Sequence, residues 1–333
     1  MNSLKWTFCA VLIGSALGAG CGGDDRGPSP FESFPPATFD PDDAAQIEML
    51  TSLSAPRAHA MGSLGILLAA FSNAEVCTTP EGGGEPVCMP TGNGCPEATE
   101  TSDGFIVDGG GCTSEDGQTW TGRIIARGFE RDADGELSAG SDAEILYESL
   151  TLEGPSECPT VTTTTRAIID GGMTMTAGGP GVVDFELDLE IRGSGVTEDC
   201  VDVGMLSGFY QYQGSRREEG TRTIWNGSGR FGNSETGVFE AATDEEVIDS
   251  SVCSDEALSG TTTVTAGSDV MVITYDGETD CDETSTATWT YNGADRGEIE
   301  GVSCAVSPGS RARPGLALGM LGALLLLGLS RRR

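Results

Sequence analysis

Val183-Asp184-Phe185-Glu186-Leu187-Asp188-Leu189-Glu190-Ile191 alternates apolar and acidic residues without a break. Successive side chains of a strand point to opposite faces, so this stretch reads as a strand with one dry face and one acidic face. The same chemistry continues on both sides of it. From Cys95 onward Thr, Val and Ile are frequent, and Gly, Asp and Asn interrupt at short intervals. The pattern predicts strands over 104–108, 118–129, 143–152, 161–169, 172–177, 182–192, 205–213, 221–230, 236–241, 259–266, 270–275, 285–292 and 297–302. Connections this short join antiparallel neighbours. The expectation is a mainly β chain whose antiparallel hairpins form a β-sandwich or an open barrel over 76–304.

Some hairpins echo one another. Phe105-Ile106-Val107-Asp108-Gly109 is followed by Cys112 and Thr119-Trp120-Thr121. Val272-Ile273-Thr274-Tyr275-Asp276-Gly277 is followed by Cys281 and Thr288-Trp289-Thr290. Cys95-Pro96 precedes the first Asp-Gly-Gly, and Cys158-Pro159 precedes Asp170-Gly171-Gly172. The echoes suggest duplicated hairpins, and their irregular spacing argues against a strict solenoid or propeller.

The charge is one-sided. All 52 acidic residues lie between Asp24 and Glu300, where twelve arginines oppose them, leaving that segment near −40. Lys5 is the only lysine. Such a field repels nucleic acid and anionic membranes and attracts cations, so no nucleic-acid partner is expected. An acidic coat also favours solubility.

Ahead of the strands, Asp40-Pro41-Asp42-Asp43 reads as a helix start, with Asp40 as cap and Pro41 in the first turn. That helix should run to about Leu53, and Ser54-Ala55-Pro56 should begin a second. Met61, Leu64, Leu68 and Phe71 fall on one face of the second helix, which suits packing against a sheet. The helical pair is thus expected over 40–75. His59 lies on the second helix and is the only histidine, so a histidine-rich metal site is excluded. Any Ser-His-Asp machinery would have to use it. Neither a Gly-x-Ser-x-Gly elbow nor a His-Glu-x-x-His is present.

The two ends speak to location. Residues 1–20 carry Lys5, an apolar run from Trp6 to Leu17 and small residues before Cys21. The run is too short to span a bilayer and reads as a secretory signal. Residues 21–39, rich in Gly, Asp, Pro and Ser, read as a flexible tether. At the other end, a small-residue linker over 305–314 leads to an apolar helix and Arg331-Arg332-Arg333 over 315–333. With an export signal present, the cysteines read as disulfides in an oxidising compartment. Sequence neighbours give the pairs Cys77–Cys88, Cys95–Cys112, Cys158–Cys200 and Cys253–Cys281, with Cys304 left over.

Leu17-Gly18-Ala19-Gly20-Cys21 resembles the lipobox of bacterial lipoproteins, although Gly18 stands where that family carries an aliphatic residue. The resemblance implies acylation at Cys21 and a lipid-anchored protein at the outer membrane or cell surface. The layout of 303–333 resembles the MYXO-CTERM class of C-terminal sorting signals: a cysteine, an apolar helix and a terminal arginine cluster. It implies removal of the tail and surface display, with Cys304 as the motif cysteine. The anchor is then either Cys21 or Cys304, and an uncleaved tail would instead be a single transmembrane helix.

For chemistry, Glu130, Asp132, Asp134 and Glu136 place oxygen ligands at alternate positions before and after Gly135. This resembles the first eight positions of an EF-hand calcium loop, but Ser141 stands at the twelfth. The other reading is a hairpin turned by Asp134-Gly135. Asp244-Glu245-Glu246, Asp255-Glu256 and Asp280 to Glu283 read as exposed turns, and Arg216-Arg217-Glu218-Glu219 as a self-neutralising hairpin end. Trp120, Trp225 and Trp289 read as core rather than as a sugar-stacking platform. The expected function is therefore a non-catalytic envelope lipoprotein, a binding or structural β module with a protein or glycan ligand. The rivals are a secreted carboxylate-dependent glycan hydrolase and a calcium-stabilised adhesion module.

Overall fold

The computed structural model describes residues 29–78, 87–90, 95–114, 117–131, 137–155, 164–196, 202–253, 257–275, 277 and 286–300. The expected signal over 1–20, Cys21, and the expected linker and tail from Cys304 onward lie outside them.

The chain is mainly β. A short 3₁₀ turn at Pro30–Ser33 precedes two helices, α1 (Ala44–Ser54) and α2 (Pro56–Asn73). Three short strands follow, β1 (Glu75–Thr78), β2 (Val87–Pro90) and β3 (Glu97–Glu100). Then come β4 (Gly104–Asp108), β5 (Thr119–Arg131), β6 (Leu137–Pro155), β7 (Thr164–Gly179), β8 (Val182–Val196) and β9 (Asp202–Glu219). The last are β10 (Arg222–Asn233), β11 (Gly237–Asp249), β12 (Ser259–Ala266), β13 (Asp269–Tyr275), β14 (Thr286–Tyr291) and β15 (Ala294–Glu300). All fifteen belong to one sheet, ordered as in the chain except that β1 sits between β2 and β3. Every neighbouring pair is antiparallel apart from β1 with β3.

The opening strand behaves as its pattern predicts. Phe185, Leu187, Leu189 and Ile191 are buried, and Asp184, Glu186 and Asp188 are exposed. Both helices lie on the dry face. Helix α2 crosses the strands rather than following them. Arg57 meets Glu246 on β11, His59 stacks on Tyr212 of β9, Ser63 bonds Tyr147 of β6, and Phe71 packs on Phe105 of β4. From residue 57 to 71 a helix advances roughly 21 Å. Seven inter-strand steps cover roughly 34 Å of sheet. Side-chain reach and an inward curl of the sheet make up the difference, so the sheet wraps the helix.

That enclosure explains why α2 departs from the expected face. Ala60, Ser63, Ile66, Leu67, Ala70 and Phe71 are buried, whereas Met61, Leu64 and Leu68 are half-buried. A helix surrounded on several sides has no single apolar stripe to read. The start of α1 also differs. Asp43, not Asp40, caps it: its Oδ1 accepts the Gln46 N–H at 3.2 Å and its carbonyl accepts the Ile47 N–H at 3.1 Å. Asp40 instead closes the preceding turn, its Oδ1 accepting the Asp42 N–H at 3.0 Å.

The expected tether is bound from Ser29 onward. Phe31 and Phe34 pack on Phe209 of β9, on the polar face of the sheet. Pro35 and Ala37 exchange backbone hydrogen bonds with Val238 at the start of β11. Phe39 then packs on Trp289 and Tyr291 of β14, on the dry face. This strap passes around the end of β12 from one face of the sheet to the other.

Two expected strands, 161–169 and 172–177, are one strand, β7. Its continuity rests on Gly171, at φ +107, whose hypothetical Cβ would stand 2.1 Å from the Asp188 carbonyl oxygen. The cysteine-rich loop also contains strands that alternation could not reveal, since β1, β2 and β3 are four residues each. There the Cys77–Cys88 expectation meets a register that sets those two residues opposite each other, and Cys77 is disulfide-bonded.

Cys95 and Cys112 are bridged, tying the entry of β3 to the β4–β5 turn across 17 residues. Cys158 and Cys200 lie outside the described residues. Cys253 carries a free, buried thiol rather than the expected bridge to Cys281, which also lies outside them. Replacing Cys95 and Cys112 together with alanine should lower stability by about 3 kcal/mol, from the loop entropy restored to the unfolded chain. Chemical denaturation of the variant against the oxidised parent measures this.

The two Trp hairpins are alike in letters but not in register. Trp289 stands opposite Ile273 within the β13–β14 ladder. Trp120 lies beyond the β4–β5 ladder, its N–H donating to the Cys112 carbonyl. Both rings still face inward, which is what the shared sequence secures.

Candidate functional site

Trp120, Trp225 and Trp289 are 4%, 4% and 6% exposed, all within the core. They offer no aromatic platform to a sugar. Trp225 packs on Phe185 at 5.8 Å between ring centroids, and Phe39 packs on Trp289.

His59 is sealed between helix and sheet, 3% exposed, with its ring 4.2 Å from that of Tyr212 and 5.1 Å from that of Tyr210. A carbonyl can only accept, so Nε2–H donates to the Leu53 carbonyl, 2.5 Å away. Tyr212 donates to the same oxygen at 2.7 Å. Burial, opposed by the Leu53 bond, lowers the His59 pKa to about 4. Burial likewise pushes the phenols of Tyr147, Tyr210 and Tyr212 up. The void beside the ring measures about 10 Å³, room for one water at most. The only histidine is thus a buried core residue closing the α1–α2 junction.

The acidic run at 244–246 is not an exposed turn. It belongs to β11, and Glu246 is fully buried. Phe239, Ala241 and Thr243 point inward by strict alternation, so Glu245 would come next. A bulge intervenes: the register with β12 shifts between Asp244 and Val247, and Glu245 adopts φ +50. The extra residue swings Glu246 inward to meet Arg57 Nε at 2.9 Å. By contrast, Arg216 pairs with Glu218, and Arg217 with Glu219 at 2.8 Å, at the β9–β10 hairpin end as expected.

The calcium-loop positions Asp132, Asp134 and Glu136 lie outside the described residues. Glu130 stands opposite Ser138 in the ladder, so strands flank the loop on both sides. Among the described residues no group of side chains is arranged to hold a metal ion, and no helix is long and apolar enough to cross a membrane.

What remains is the polar face. A concavity of about 850 Å³ opens there across β6 to β12. Two cross-strand rows form its floor. One runs Glu144, Thr174, Glu186, Gln213, Ser228, Ala242, Thr263. The other runs Gly172, Asp188, Gln211, Arg230, Glu240, Thr265. A second concavity of about 630 Å³ shares Thr174, Glu186, Gln213 and Ser228 with the first, so the two are one groove. Its lining is amide, hydroxyl and carboxylate, with Arg230 at one end. Glu186, Asp188 and Glu240 are exposed and Glu144 is half-buried, paired with Arg127 at 2.5 Å.

Sequence reading found the acidic face of β8 but not the groove, because neighbours across a sheet are far apart in the chain. The parity of each strand was the usable signal; the register between strands was not in the letters. No family model, no curated protein and no solved structure matches the chain.

Proposed function

We propose that this chain is a non-catalytic, lipid-anchored envelope protein whose β module binds a ligand in its polar groove. The supporting observation is the division of labour between the two faces of one sheet. The dry face is filled by α1 and α2, and the groups that could do acid–base work there are consumed as structure: His59 by Leu53, Glu246 by Arg57. The polar face offers a concavity of ligand size lined by hydrogen-bonding groups, which neither α1 nor α2 covers. Glycan hydrolysis needs two carboxyls whose environments differ, one held protonated in an apolar setting. The groove carboxylates face solvent on a polar floor, which suits recognition better than that chemistry.

Export follows from the signal over 1–20, and anchorage from acylation at Cys21 or display through the tail after Cys304. The strap supports this arrangement physically, because it fixes Ser29 on the sheet only eight residues after Cys21. An acylated Cys21 would hold the β10–β11 end of the module within roughly 28 Å of the lipid surface. Intact mass of the protein recovered from membranes tests the reading. A diacyl or triacyl mass on a chain beginning at Cys21 is expected; an unmodified chain beginning elsewhere, with an intact tail, would overturn it.

A further inference from the structure

We propose that the polar groove takes a short peptide by its free C-terminal carboxylate, with Arg230 as the residue that reads that group. The proposal rests on the binding reading above and names the ligand class of the same groove.

Arg230 is exceptional in its partners. Every other arginine whose side chain is described forms an ion pair with a carboxylate. Arg230 forms none among the described residues, although Glu240 stands directly across from it on β11. In a chain with 52 acidic residues this does not follow from scarcity of partners. The guanidinium is turned away from Glu240 and held by neutral groups. Nε donates to Gln211 Oε1 at 2.9 Å, Nη2 approaches Ser29 Oγ at 3.4 Å, and the Phe31 ring lies 4.9 Å from the guanidinium carbon. These contacts fix its plane, and no hydrogen bond engages Nη1 among the described residues. Arg230 itself lines the groove. A preorganised, charged donor of this kind matches a carboxylate, the geometry for which arginine is suited.

The surroundings decide which carboxylate. In its row Arg230 is flanked by Glu240 on one side and, beyond Gln211, by Asp188 on the other. The whole surface is acidic, so a purely anionic ligand meets repulsion on approach. A ligand with a carboxylate at one end and a positive group nearby satisfies both signs. Asp188 is two strands from Arg230, roughly 9.6 Å, which an extended peptide covers in about three residues. A basic side chain near the third residue from the C-terminus would therefore reach the Glu186–Asp188 region. Gln213 and Ser228, on the floor between Arg230 and Glu186, supply donors and acceptors for its backbone.

The test titrates Lys-Ala-Ala, as free acid and as C-terminal amide, into the mature chain by calorimetry. The free acid should bind at least tenfold more tightly than the amide. Arg230→Gln should bring the acid down to the amide's affinity and leave the amide unchanged. Because that substitution also touches the strap, Glu186→Gln, at the far end of the peptide's path on β8, serves as the second variant. It leaves the strap alone, and it should weaken Lys-Ala-Ala several-fold while leaving N-acetyl-Ala-Ala-Ala, which carries no positive group, unaffected. Equal affinity for acid and amide would overturn the inference, and the groove would still stand as a binding site. Absence of binding by both at millimolar concentration would overturn it as well, as would Arg230-dependent binding of a uronic-acid disaccharide in place of the peptide. The mass measurement above decides the envelope reading independently of each result.

Discussion

Arg57→Met and Glu246→Met should each lower stability by about 3–5 kcal/mol, while Arg57→Met/Glu246→Met should recover most of that loss. The asymmetry follows from where the pair sits. Both side chains are almost completely excluded from water, at 8% and 1% exposure, and they lie 2.9 Å apart. Removing Arg57 leaves the Glu246 carboxylate buried without its ion pair, and removing Glu246 takes from the buried Arg57 Nε its 2.9 Å partner; each loss is far more costly than the pair was worth. Removing both leaves an apolar contact between the first turn of α2 and β11. A buried ion pair often contributes little net stability against such a contact, because desolvating two charges offsets their attraction. Glu246 Oε2 accepts no hydrogen bond among the described residues, which makes the offset larger still. Urea denaturation of the three variants closes the cycle. A double variant as unstable as the sum of the singles would show that the two residues do not act as a pair.

The same pair has a second consequence. Arg57 and Glu246 are 189 residues apart in sequence, and the bulge at 244–247 turns Glu246 inward to meet Arg57. If the pair fixes where α2 lies across the strands, the double variant should keep its stability yet lose definition at the helix start. Hydrogen exchange at the first turns of α2 would report it. Faster exchange there, with the sheet unchanged, is the expected pattern.

How much of this was legible beforehand varies with the physics. Period-two alternation over 183–191 gave the strand, its faces and its acidic exterior directly, because burial on one face leaves an unambiguous trace. The span of β12 was equally plain, a threonine-rich run that stops at Gly267. Glu246 was not legible, since a buried acid inside Asp-Glu-Glu looks like an exposed one until the bulge is seen. Nor was the true buried face of α2, because a helix enclosed by a curled sheet presents contacts all round. The groove was the least legible of all. Asp188, Gln211, Arg230 and Glu240 form one row only through three strand registers, and no local rule fixes those. The strap escaped notice for another reason: a Pro-rich segment reads as linker by composition, and three phenylalanines decide otherwise.

His59 should make the fold lose stability in acid, in a window set by its own titration. Its folded pKa is lowered to about 4, against about 6.5 in the unfolded chain. Between those values the unfolded chain binds a proton that the folded chain does not. Stability therefore falls as pH drops from about 6.5 toward 4, is unaffected by this residue above that range, and levels off below it. The full effect is about 3 kcal/mol, of which about 2 kcal/mol should be gone at pH 5. The parent protein alone cannot display this cleanly. Its carboxylates also take up protons near the bottom of the window, and relief of their mutual repulsion works in the opposite direction. His59→Gln isolates the term, since its amide N–H can still donate to Leu53 but does not titrate. The stability of the parent minus that of His59→Gln should be constant above pH 7 and should fall by about 2 kcal/mol on going to pH 5. A difference that stays flat across this range would mean that the imidazole is solvated in the folded protein, and that the enclosure of α2 by the sheet is looser than its contacts imply.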